Sequence, residues 1–172
     1  MKLGHTDWNV PEPASPWSEI TPRLWMGGHV WQDPDGALRA AVAGDEFDLV
    51  VSLVAAEGHG PDGHVEHLVA PLPDGPLEAE QIRTVQDLAR TVAQAMRDGR
   101  VVLVRCRSGY NRSGLIVAQT LIELGDDASG AIDLIRRRRS AWALHNDIFV
   151  QYLITGLDVA GLLVGLGTPD LA

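Results

Sequence analysis

The sequence predicts an α/β fold, a central and mainly parallel sheet flanked by helices. Two observations carry that reading. Residues 49–54 (LVVSLV) and 101–104 (VVLV) are short, almost uninterrupted apolar runs rich in β-branched side chains, the pattern of strands buried on both faces. Between them Ile82, Val85, Leu88, Ala89, Val92 and Met96 recur at three- and four-residue steps, which predicts a helix over 78–97 that stops at Asp98-Gly99. Strands that alternate with helices pair in parallel.

The other elements follow in order. Residues 1–17 predict an irregular arm, because Pro11, Pro13 and Pro16 deny it helix and inner strand, with Trp8 and Trp17 pinning it to the body. Residues 20–26 predict one short strand ending at Gly27-Gly28. DPDG (33–36) predicts a turn, and ALRAAVAG (37–44) a short helix closed by Gly44. Residues 57–64 form a loop and 65–72 a second strand, and PLPDGP (71–76) is too rich in proline to be regular. Helices are expected over 113–124, 128–138 and 147–157. One domain is expected over 18–160, with 161–172 as a tail. Trp25, Trp31 and Trp142 are expected in the core.

Composition bounds the function. Of 172 residues, 45% are hydrophobic and 22% charged, the balance of an ordinary globular chain. The net charge of −9 disfavours polyanions, so no nucleic acid and no anionic membrane is expected as a partner. No apolar run is long enough to span a bilayer, and the first residues lack a signal-peptide core, which predicts a cytoplasmic protein. His59, His64 and His67 lack a carboxylate or thiol at metal-site spacing, so no metal and no other cofactor is expected.

The chemistry lies in Cys106-Arg107-Ser108-Gly109-Tyr110-Asn111-Arg112-Ser113-Gly114. Cys106, the single cysteine, ends a buried strand, five residues stand between it and Arg112, and a helix then begins. A loop between a strand and a helix N-terminus gathers free backbone N–H groups around one concavity, an anion nest reinforced by the helix dipole. Gly109 lets that backbone curve. A helix N-terminus and nearby cations favour thiolate, the nucleophilic form. The planar fork of an arginine holds two phosphoryl oxygens together. These residues therefore point to phosphoryl chemistry, with the loop residues 107–112 binding phosphate.

The segment resembles the signature loop of the protein tyrosine phosphatase superfamily, C-x-x-G-x-x-R-[ST], with Cys106, Gly109, Arg112 and Ser113 in its four specified places. The likeness is to the small dual-specificity phosphatases and extends over about residues 18–157, through ITPRLWMGG (20–28) and IRRRRSAWALHNDIFVQYL (135–153). It implies a strand–phosphate loop–helix core of phosphotyrosine-phosphatase type and hydrolysis of phosphate monoesters through a cysteinyl-phosphate intermediate. The implied substrates are phosphotyrosine and phosphoserine or phosphothreonine in proteins, or another phosphomonoester. Cys106 would be the nucleophile, Arg112 the clamp and Asp74, on the proline-rich loop upstream, the general acid. Ser113 would ease departure of the sulfur. Asp62 and Glu78 are the reserve acids.

A departure from the family is Arg105, where a histidine usually precedes the cysteine. It either adds positive charge to the loop or points away from it. Arg107 reads equally as a solvated charge or as a contact to a second acidic group on the substrate. The run 136–139 reads as the solvated, dipole-compatible end of a helix, and Asn146 as a helix cap rather than a brace for the phosphate loop. The same loop chemistry leaves a phosphoinositide or RNA 5′-phosphatase, or a weakly catalytic phosphate-binding module, as alternatives. GYNRSG resembles the RNA triphosphatase form of the loop, whereas Asp74 and the acidic charge argue against RNA.

Overall fold

The computed structural model describes residues 9–167. It contains a five-stranded sheet in the order β1-β2-β7-β5-β6, made by Trp17–Thr21 (β1), Leu24–Gly28 (β2), Val102–Cys106 (β7), Leu49–Ser52 (β5) and Glu66–Val69 (β6). Only β1 runs antiparallel to its neighbour. The helices are Ala79–Arg97 (α1), Arg112–Glu123 (α2), Ala128–Arg138 (α3), Asp147–Thr155 (α4) and Leu157–Gly167 (α5). The expected mixed α/β architecture, a mainly parallel sheet flanked by helices, is present.

Strand pleat sorts the core. Val102 and Val104 of β7, with Leu49 and Val51 of β5, face the helices and pack with Val85, Leu115, Ile116, Ile135 and Phe149. Leu103 and Val50 point the other way, into a smaller cluster with Ala43 and Phe47 that Trp17 and Trp25 border. Trp17 and Trp25 both meet Phe47 edge-on, at 5.5 and 6.1 Å. Trp17 therefore joins the sheet as the first residue of β1; Trp8 lies outside the described residues.

Four local expectations are corrected. Residues 20–26 are not one strand: Pro22 offers no N–H and Arg23 adopts φ 73°, so the chain turns and β1 folds back on β2. Residues 37–44 are not helical. Leu38–Ala40 forms β4, paired with Val30–Gln32 (β3) across the DPDG turn, and cross-strand pairing overrides the helix preference of the alanines. The predicted helix over 147–157 breaks at Gly156, whose φ of 94° ends α4; α5 leaves at a 113° bend. Trp142 is 40% exposed and Trp31, in β3, is only half-buried, and neither joins the core. Among the described residues no single helix is long and apolar enough to cross a membrane.

Candidate active site

Strand β7 delivers Cys106 to the carboxyl edge of the sheet, and α2 begins at Arg112. The loop between them is held from outside by its carbonyls. Arg107 C=O accepts from the His29 and Val30 N–H groups at 2.8 and 3.2 Å, and Tyr110 C=O accepts from Leu144 N–H at 3.0 Å. The Arg139 guanidinium donates to the Ser108 and Gly109 carbonyls at 2.9 and 3.2 Å. In a trans peptide the N–H opposes the C=O, so outward carbonyls turn the N–H groups of 108–111 toward the concavity. Gly109 has φ 75°, and a Cβ there would lie 2.5 Å from the Gly27 carbonyl carbon. Gly28 admits the loop likewise, since its Cβ would meet Arg107 O at 2.5 Å.

Cys106, Arg107, Ser108, Tyr110, Asn111, Arg112 and Asp74 line one pocket of about 270 Å³, with Val10, Pro11, Glu12 and His145. Cys106 is buried, and its Sγ lies 3.3 Å from Ser113 Oγ. Arg112 donates through Nη1 to Leu72 O at 3.3 Å, while its buried Nε–H has no partner among the described residues. Arg112 is one of the residues that line the pocket.

Asp74 reaches the same pocket from the loop between β6 and α1. Its Oδ1 accepts from Asn146 Nδ2 at 2.8 Å and its Oδ2 from Asn111 Nδ2 at 3.1 Å. Asn111 also donates to His145 Nε2, at 3.2 Å, and its Oδ1 accepts from the Asn146 N–H at 3.0 Å. His145 Nδ1 donates to Trp142 O at 2.8 Å, which assigns the ring proton to Nδ1. The loop itself is tethered where Leu77 N–H donates to Tyr152 Oη at 3.0 Å. Neither reserve acid lines this pocket: Glu78 caps α1, and the Asp62 N–H is bonded to the Gly44 carbonyl.

Arg105 points away from the pocket. It is fully buried and donates to Ser52 Oγ, His59 O and Gly60 O at 2.9, 2.8 and 2.6 Å. Ser52 in turn meets His67 Nε2 at 2.7 Å. Burial pushes the guanidinium down to about 10, which leaves it a cation at neutral pH. Burial and the Arg105 charge lower the His67 pKa.

Several functional placements were missed from sequence. Arg139 is no solvated helix end: besides the two loop carbonyls it binds Ser15 O, Ser15 Oγ and Ser18 Oγ. Arg136 donates to Ala143 O and Leu144 O at 3.1 and 3.0 Å. Both continue the face of the buried Ile132 and Ile135 at helical spacing, a signal the arginine run conceals. Arg137 and Arg138 are exposed as expected. Asn146 is both cap and brace, its Oδ1 accepting from Ile148 N–H. Arg107 pairs with Glu12, and no sequence signal marked Glu12 or His145. Among the described residues no three His, Cys, Asp or Glu side chains converge on a metal position.

Compared with solved structures, the chain resembles human DUSP28 at 20% identity and a TM-score of 0.69, over 87% of this chain and 98% of that one. The chain has the fold of the small dual-specificity and tyrosine phosphatases. Tk-PTP in its active form aligns at 22% identity and a TM-score of 0.59, over 81% and 97% of the two chains. OH1 of Orf virus, described as a tyrosine phosphatase with triple substrate specificity, aligns at 17% and 0.61, over 84% and 87%. No family model and no curated protein matches the sequence.

Proposed function

We propose that the protein hydrolyses phosphate monoesters on proteins, phosphotyrosine foremost, through a cysteinyl-phosphate intermediate. One observation carries the reading: Cys106, Arg112 and Asp74 line one pocket at the carboxyl edge of the sheet, beside the loop N–H groups turned toward it. A phosphoryl group seated in the nest accepts from the inward N–H groups and is neutralised by the Arg112 guanidinium.

The Cys106 thiolate attacks phosphorus in line, forming the S–P bond as the P–O bond to the leaving group breaks. Arg112 and the loop N–H groups hold the three remaining oxygens. Asp74, protonated, gives its proton to the departing oxygen, then takes one from the water that attacks the thiophosphate. Ser113, 3.3 Å from Sγ, donates to the sulfur as the S–P bond breaks and returns it as thiolate. The fold likeness to a viral tyrosine phosphatase supports the substrate class.

The test is turnover of an aryl phosphate in chelator by the wild type, Cys106→Ser and Asp74→Asn. The expected outcome is wild-type turnover, none with Cys106→Ser, and a kcat at least about tenfold lower with Asp74→Asn. Turnover surviving in Cys106→Ser would reject the thiol mechanism.

A further inference from the structure

The chain segment before β1 forms one wall of the pocket, and its position is set by bonds that leave the Glu12 carboxylate out. Tyr110 Oη donates to the Pro11 carbonyl at 2.9 Å, and Gln32 N–H donates to the Pro13 carbonyl at 2.7 Å. Further along, Arg139 holds Ser15, and Gly28 N–H donates to the Pro16 carbonyl at 3.0 Å. Glu12 stands between the first two tethers, so its backbone is pinned at the rim whatever its side chain does.

The Glu12 carboxylate then meets Arg107 as fork on fork, Nη1 to Oε2 and Nη2 to Oε1, both at 3.3 Å. Arg107 also donates to Ser108 Oγ at 3.0 Å, inside the phosphate loop. Glu12 and Arg107 line the same pocket as Cys106, Arg112 and Asp74. Without Glu12, Arg107 would be a rim cation one residue from the nucleophile, the natural partner for a second anion beside a bound phosphate. With Glu12 in place that cation is neutralised, and a fixed negative charge stands on the approach. The two side chains are 50% and 35% exposed, so they act on incoming charge through water-screened but short-range fields.

We propose that Glu12 sets the charge selectivity of the pocket: it occupies Arg107, so the site takes phosphomonoesters with neutral or basic surroundings and disfavours those with an acidic group beside the phosphate. The inference rests on the reading of this pocket as a phosphoester site, but its first test does not need turnover. Cys106 is the single cysteine, so alkylation reports on one position. Iodoacetate and iodoacetamide both form an S–C bond to its sulfur and release iodide; they differ in charge.

At low salt, Glu12→Gln is expected to raise the ratio of iodoacetate to iodoacetamide rates about threefold to tenfold. Adding Arg107→Gln should return the ratio toward the wild-type value. The same Glu12→Gln change should shift kcat/KM toward a phosphotyrosyl peptide flanked by Asp and Glu, relative to one flanked by Lys. An alkylation ratio unchanged in Glu12→Gln overturns the inference. Turnover of both peptides with both ratios unmoved overturns it and leaves the phosphatase reading standing. A shifted alkylation ratio with no phosphoester turned over supports the charge gate and rejects the phosphatase reading.

Discussion

Asp74 and Asn111 lie 37 positions apart in the chain and meet at 3.1 Å, so the proposed acid is oriented by a residue of the phosphate loop itself. Asn146 completes the clamp from the start of α4. The proposed phosphate loop and the proposed acid are thus one hydrogen-bonded unit. An acid misplaced by about an ångström loses much of its effect.

Asn111→Leu removes that link and leaves the loop backbone bonds in place. The expected result is a kcat lower by about fivefold to tenfold with a smaller change in KM, on an aryl phosphate. In an Asp74→Asn background the same substitution should cost less than twofold, because its effect runs through the acid. Equal losses in both backgrounds would mean that Asn111 acts only on the loop.

Arg105 is a fully buried cation that donates to a hydroxyl and two carbonyls. It binds the loop after β5 to the strand that carries Cys106. Arg105→Met leaves the His59 and Gly60 carbonyls without that donor and should destabilise the fold by about 2–4 kcal/mol, read from urea unfolding. A stability within about 0.5 kcal/mol of wild type would show that water replaces the guanidinium without cost.

His29 gives the stability a pH dependence. Burial, then the charge of Arg105, holds its pKa near 4, against 6.5 for an ordinary histidine. Neither ring nitrogen has a hydrogen-bond partner among the described residues, and the ring meets His59 edge-on at 4.9 Å. The folded state keeps the ring neutral, so the unfolded chain binds more protons between pH 6.5 and 4. The contribution is complete above 6.5 and is lost as pH falls toward 4. Between pH 7.5 and 5 it amounts to about 2 kcal/mol. His29→Leu should flatten the urea midpoint against pH by that amount, and an unchanged slope would place the dependence on other groups.

The strand, loop and helix from 102 to 123 were readable because everything they need is local: a β-branched run, a glycine at the bend and an apolar helix start. Helix α1 was readable from its period, and its capping box, Glu78 with Gln81, sits where the run begins. The hairpins were not. Nothing in ALRAAVAG announces that Leu38–Ala40 pairs with Val30–Gln32, because the partner decides and not the propensity. Arg139 was misread for a related reason: a charged run looks solvated until a neighbour presents carbonyls to bury it.

Local pattern was enough for the sheet's buried strands and for the strand, loop and helix around Cys106, since each follows from spacing within a few residues. Tertiary structure alone decided which carboxylate meets which partner. It turned Arg105 under the sheet, set Arg139 behind the loop, clamped Asp74 between Asn111 and Asn146, and placed Glu12 on Arg107. Those pairings join segments from 30 to 124 positions apart in the chain, where the shared requirement is to satisfy buried polar groups and local pattern carries no record of the partner.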